Sequence, residues 1–198
     1  MPLIHLPFPL VLASTSRYRQ AQLARLGLPF TAVKPPYDEL PVAGLDATQL
    51  IVHHAREKAK AARLLPNGTE SLILAADQGV VLDRELLGKP GTEPAAVAQL
   101  LRLAGREHAL VTAVVLGLPD GRLLERLVPV TLRLRPLSEA EAQAYVAQDQ
   151  PLDCAGSYRI EAAGPSLLEW ARGDDPTAIE GLPMIAVAAL LREAGTLL

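Results

Sequence analysis

Pro9-Leu-Val-Leu-Ala13, Ser14-Thr-Ser16, Arg17-Tyr-Arg-Gln-Ala-Gln-Leu-Ala-Arg-Leu26 reads as three conformations in direct succession. The first piece is short, apolar and rich in Val and Leu, the pattern of a buried strand with proline tolerated at its first position. Three hydroxyl residues make the turn. Arg17 to Leu26 then reads as a helix, with Gly27 as its stop. Strand, hydroxyl turn and helix in one run point to an α/β or α+β domain.

Outward from that unit the alternation continues. Phe30 to Val33 reads as a strand before the Pro35-Pro36 break. Asp46 with Gln49 forms a capping box that opens a helix with the apolar stripe Ile51, Ala55, Ala59 and Ala62. Leu72 to Ala76 is a buried strand expected to end at Asp77-Gln78-Gly79, with Val80 to Leu82 extended beyond it. Thr92 caps a helix through Leu103, closed by Gly105. Leu110–Leu116 and Leu123–Leu134 predict a hairpin around Pro119-Asp-Gly121. Ser138 and Glu141 make a second capping box, for a helix to about Gln148. Gln150 to Gly181 looks irregular, and a connection of that length is more often functional than idle. A last helix is expected from Pro183 to Ala194, with Gly195 as its stop.

The 198 residues fit one large domain or one domain with two lobes. Apolar residues are 49% of the chain and aromatics 4%, so Leu, Ala and Val must build the core. A net charge of −3 argues against a protein that coats nucleic acid, which needs a concentrated basic surface. Cys154 is the only cysteine, which excludes an intrachain disulfide and suits a reducing compartment. Leu6 to Ala13 is too short to span a bilayer and lacks a basic region before it. The chain is expected to be cytoplasmic, with no membrane or nucleic-acid partner.

Several charges stand against local physics. Arg17 and Arg19 fall in the first turn of a helix, where the dipole disfavours cations. An anion held by hydroxyls, free N–H groups and guanidinium forks reverses the sign, and arginines pointing into water are the alternative. Asp77 follows an apolar strand, where a carboxylate either holds a metal, acts as a base or simply ends the strand. Gly88-Lys89-Pro90 is either a phosphate contact or a plain surface turn. Lys58 lies beside its helix's apolar stripe, as a snorkelling lysine also would. His53 and His54 are adjacent on a helix and cannot form the i, i+4 metal pair. Trp170 reads as packing.

As an ordered set these segments resemble the Maf family of nucleotide pyrophosphatases. The matching pieces are Leu12-Ala-Ser-Thr-Ser16 with Arg19, Asp38-Glu39, Ala55 with Lys58-Ala59, Ala76-Asp-Gln78 and Gly88-Lys-Pro90. Ala155-Gly-Ser-Tyr158 and Gly181-Leu-Pro183 complete the order across nearly the whole chain. Asp77-Gln78, Cys154-Ala-Gly-Ser157, Glu161 and Gly173-Asp-Asp-Pro176 are similar to the branch acting on 7-methyl-GTP. The branch acting on dTTP and UTP typically has Asp-Thr, Lys-Ala-Gly and Gln at those places.

The resemblance implies one elongated α/β domain over residues 1–198, with a central mixed sheet flanked by helices and a cleft between two lobes. It implies a divalent cation, Mg²⁺ or Mn²⁺, and allows a homodimer. Asp77 would accept the proton of the attacking water and, with Glu39, hold the metal. Ser14, Ser16, Arg19, Lys58 and Lys89 would bind phosphates. Glu161 would accept from guanine's paired donors, Tyr18 would offer a ring face and Gln78 would fix the base edge. A dTTP/UTP pyrophosphatase, a nucleotide-binding regulator of cell division without turnover and a nucleic-acid-binding protein are the rival readings.

Overall fold

In the computed structural model, which describes residues 5–196, the opening strand forms as β1 (Leu10–Ala13). It runs parallel to β2 (Thr31–Val33) on one side and to β3 (Leu72–Leu82) on the other. The rest of the sheet is antiparallel. β3 pairs with β5 (Glu107–Gly117), β5 with β6 (Leu123–Leu134), and β6 with β7 (Leu168–Arg172). A short β4 (Glu85–Leu87) folds back on the far end of β3. Among the described residues this makes a seven-stranded mixed sheet, ordered β2-β1-β3-β5-β6-β7 with β4 beside β3.

Helices cover both faces, which is why β3 is apolar almost throughout. Side chains of a strand alternate between faces. Ile73 and Ala75 of β3 therefore meet one cover, α2 (Ala47–Arg63), through its stripe Ile51, Ala55, Ala59 and Ala62. Leu72, Leu74 and Ala76 meet the other, built by Leu23 of α1 (Arg17–Ala24) and Val187, Leu190 and Leu191 of α5 (Met184–Glu193). A third cluster packs α3 (Glu93–Leu103) and α4 (Glu139–Asp149) on Val80, Leu82, Leu132 and Leu134. Asp46 and Ser138 form their capping boxes, and Thr92 caps α3. Gly27 stops α1 with φ at +68°, a conformation that a Cβ would disfavour. No helix among the described residues is long and apolar enough to cross a membrane.

Two expectations are corrected. β3 does not end at Asp77: its pairing with β5 runs unbroken from Ile73↔Gly117 to Val81↔Ala109. The strand that ends at this level is β1, whose pairing with β3 stops at Leu12↔Leu74. From there to Val80, where the pairing with β4 begins, one edge of β3 carries no strand among the described residues. The Gln150–Gly181 connection is also less irregular than expected, since it holds β7 and short 3₁₀ turns at Ala155–Ser157, Gly164–Leu167 and Pro176–Glu180. Leu-Glu-Trp-Ala-Arg lacks an apolar alternation because β7 is an edge strand with no fully buried residue. There Trp170 lies under the Arg172 guanidinium, 4.4 Å from ring centre to Cζ, rather than in the core.

Candidate active site

A cavity of about 600 Å³ opens along the unpaired edge of β3. Ser14, Ser16, Tyr18, Arg19, Glu39, Lys58, Asp77, Gln78, Lys89 and Glu161 all line it, so the structure brings together the side chains that the resemblance assigns to substrate and metal. Lys34, Tyr37, Asp153 and Glu180 line it as well. Lys34, Tyr37 and Asp153 sit in loops and Glu180 closes the Pro176–Glu180 turn, and no periodicity in the sequence marks them.

The acidic centre is built from β3 and α2. Asp77 points to the α2 side of the sheet, is buried, and its Oδ1 accepts from Lys58 Nζ at 2.6 Å. Lys58 belongs to the buried face of α2, and its ammonium also pairs with Glu39, from the loop after β2. The sequence assigns Lys58 to phosphate; the structure sets its ammonium between two carboxylates. Burial raises the Glu39 carboxyl, but the hydrogen bond and charge of Lys58, helped by Lys89, hold it below the usual range. The loop is tied to α2 by Tyr37 Oη and His54 Nδ1, 2.7 Å apart. Burial lowers the His54 pKa, with Asp77 and Glu39 opposing, so the ring is neutral near pH 7. Among the described residues no group of three or more His, Cys, Asp or Glu converges; Glu39 and Asp77 meet across the Lys58 ammonium.

The cationic side is set by the turn after β1. Ser16 is the N-cap of α1, its hydroxyl accepting from Arg19 N–H at 3.4 Å, and Ser14 Oγ accepts from Ser16 N–H at 3.1 Å. Arg19 folds back to the open edge, where Nη1 donates to Ala76 O at 2.7 Å and Nε to Gly181 O at 3.0 Å. The backbone carbonyl that a neighbouring strand would otherwise engage is thus taken by a guanidinium. Enclosure lowers the Arg19 pKa, with Asp77 and Glu39 opposing, and the group keeps its charge. Arg17 also lines the cavity, its guanidinium over the Tyr18 ring at 5.0 Å and donating to the Tyr18 hydroxyl at 2.9 Å. Lys89 is exposed on the loop after β4 and reaches the cavity from there.

Strand alternation sends Asp77 and Gln78 to opposite faces. Gln78 Nε2 donates to Thr112 Oγ1, on its cross-strand neighbour, and to Ala178 O, both at 2.7 Å. Ala178 lies in the Pro176–Glu180 turn, which is locked from beneath by the buried Asp175. Asp175 accepts from Thr177 N–H and Oγ–H and from the first N–H groups of α5 at Ile185 and Ala186. Gln22 of α1 donates to Thr177 O and Leu182 O, fixing the same turn. Asp175 precedes a proline and a threonine, a turn-and-cap signal readable in sequence; Gln22 has none. Across the mouth, the Tyr18 hydroxyl accepts from Arg159 Nη2 at 2.7 Å, and Arg159 Nε lies 3.5 Å from Glu161 Oε1.

A buried carboxylate with one oxygen on an ammonium, flanked by guanidinium and hydroxyls, can take a proton from water beside an anionic group. The model of the Maf-like protein family matches residues 9–194. A 7-methyl-GTP pyrophosphatase of Thiobacillus denitrificans is 41% identical over 187 residues, 94% of this chain and 92% of the relative. One of Xanthomonas campestris is 43% identical over 186 residues, covering 94% of this chain and 96% of that one. In fold, the chain is similar to a HAM1 protein from Coxiella burnetii, with TM-score 0.51 and 15% identity over 94% of this chain and 99% of that one.

Proposed function

We propose, from the premise that this chain belongs to the Maf-like protein family, that it hydrolyses 7-methyl-GTP to 7-methyl-GMP and diphosphate. The observation that carries this reading is the joining of Asp77, Lys58 and Glu39 with Arg19 in one cavity at the open edge of β3. We read residues 1–198 as one domain, its two lobes meeting at that cavity. A single cysteine and an acidic balance fit a cytoplasmic enzyme of small nucleotides.

Asp77 is the base. Its Oδ1 is engaged by Lys58, and Oδ2 takes the proton of a water aligned on the α-phosphorus. Arg19 has two nitrogens fixed on carbonyls, which leaves Nη2 for a phosphate oxygen. Lys89, Ser14 and Ser16 supply further phosphate contacts, and Lys58 steadies the carboxylates until the charged substrate arrives. Gln78, on the opposite face from Asp77, meets the base edge, so the nucleotide lies across the edge of β3. Tyr18 offers its ring and Glu161 accepts from guanine's two adjacent donors.

Mg²⁺ is held through one or two carboxylates plus substrate phosphates rather than in an all-protein cage. Glu39 and Asp77, converging on one ammonium, are a donor set of that kind and would hold the ion. When bound, Mg²⁺ or Mn²⁺ offsets the triphosphate charge that otherwise repels the nucleophile. Product analysis on 7-methyl-GTP, GTP, dTTP and UTP tests the reading. Monophosphate and diphosphate are expected, fastest from 7-methyl-GTP. Chelator should stop the reaction, and Asp77→Asn should slow it by at least ~10²-fold. Nucleotide bound but left intact would refute turnover, and a preference for dTTP or UTP would move the chain to the other branch.

A further inference from the structure

Arg159 lies outside the cavity lining yet touches Tyr18 and Glu161, two of the side chains assigned to the base. Its backbone is fixed on either side. The N–H donates to Tyr145 Oη at 2.9 Å, and the carbonyl accepts from Gly164 N–H at 2.8 Å. A Cβ at Gly164 would collide with that carbonyl, so the approach depends on glycine. From this anchor the guanidinium donates to Asp149 O at the end of α4, at 3.0 Å. Its other nitrogens reach the Tyr18 hydroxyl at 2.7 Å and Glu161 at 3.5 Å, with Cζ 5.7 Å from the Tyr18 ring centre. A positive charge is thus held in place beside the ring and the carboxylate that would meet the base.

Resting on the reading of Tyr18 and Glu161 as base contacts, we propose that Arg159 is a specificity-determining residue acting through them: it offsets the charge of Glu161 and limits how far the site favours a cationic, N7-methylated purine over a neutral one. Guanine presents N1–H and NH₂ to Glu161 with or without the methyl group, so the donor pattern alone does not discriminate. Discrimination rests on the ring's charge. Glu161 attracts a cationic ring, while Arg159, within 3.5 Å of that carboxylate, repels it and Arg17 adds repulsion from its place on the Tyr18 ring. The cost to a neutral ring is small. Arg159 therefore lets Glu161 serve as a hydrogen-bond acceptor while muting it as a counter-ion. Its three-way anchorage on Asp149 O, Tyr18 and Glu161 keeps the charge from swinging into solvent.

The test is the ratio of kcat/KM for 7-methyl-GTP to that for GTP, in the wild type and in Arg159→Met, Arg159→Gln and Arg159→Lys. The two neutral variants should raise the ratio about fivefold, the effect of one unit charge removed from a partly solvated neighbour, and the lysine should restore it. A purely structural Arg159 would change both nucleotides alike and leave the ratio where it was, which overturns the proposal; so does a ratio that falls. Failure of the underlying reading looks different. A wild type that turns over neither nucleotide, or a ratio untouched by Glu161→Gln, removes the base assignment and the proposal with it.

Discussion

Lys58 is the side chain whose place in the site differs most from its place in the sequence. Its ammonium is buried between Asp77 and Glu39, with the side chains of Lys58 and Asp77 only 9% and 11% exposed. Two carboxylates brought this close repel each other unless a cation lies between them. Lys58→Met should therefore cost about 3 kcal/mol of stability, the scale for breaking a buried ion pair, reduced by the exposure of Glu39. It should also make the melting temperature respond to Mg²⁺ more than that of the wild type, because a divalent ion can take the ammonium's role. Thermal unfolding with and without Mg²⁺ measures both. A variant as stable as the wild type and no more sensitive to Mg²⁺ would mean that the carboxylates do not depend on this cation.

At the level of elements, the site exists because β1 is short. β3 keeps its hydrogen bonds to β5 past Asp77, while its other edge loses β1 after Leu74 and regains a partner only at Val80. The Pro176–Glu180 turn closes the gap, offering Ala178 O to Gln78 and, just after it, Gly181 O to Arg19. Asp175 holds that turn to the N-terminus of α5 and is only 3% exposed. Asp175→Ala would leave the donors of Thr177, Ile185 and Ala186 without their shared acceptor, that of Ala186 in the interior. The expected loss is about 3 kcal/mol, read by urea unfolding, together with a raised KM as Arg19 and Gln78 lose their supports. Asp175→Asn should recover part of both. An alanine variant with normal stability and KM would show that the turn is held by other contacts.

Across the whole molecule, the segment that lines the cavity is joined to the sheet through Tyr158, whose hydroxyl meets His108 Nε2 of β5 at 3.1 Å. Burial pushes the His108 pKa from 6.5 down to about 4. Between those values the unfolded chain binds a proton that the folded one excludes, so stability is full above the unfolded pKa and falls as the pH drops. The loss is about 3 kcal/mol by pH 4, since each pKa unit corresponds to about 1.4 kcal/mol. His108→Gln should remove this component, leaving only the acid sensitivity of the carboxylates. Denaturant unfolding at pH 7, 6, 5 and 4 compares the two proteins, and parallel curves would mean that His108 does not drive the loss.

The sequence by itself determined most of the strands, the helices and the caps, because each rests on neighbours within one or two turns of chain. The capping boxes at Asp46 and Ser138, the Ile51–Ala62 stripe and the hairpin at Gly121 are all of this kind. Arg19 in a helix's first turn and Asp77 after an apolar run stand against local physics, whereas Glu39, Gln78 and Glu161 stand out only through the resemblance to the Maf family. β7 escaped notice because an edge strand need not alternate. Only the tertiary structure decided that Asp77 lies in mid-strand, that Lys58 turns to carboxylates, and that Arg159 faces Tyr18. Each of those depends on partners 19 to 141 residues away along the chain. Distance along the sequence carries no signal of which charges will meet; the end of β1, the packing of α2 and the anchorage of Arg159 on α4 bring them together.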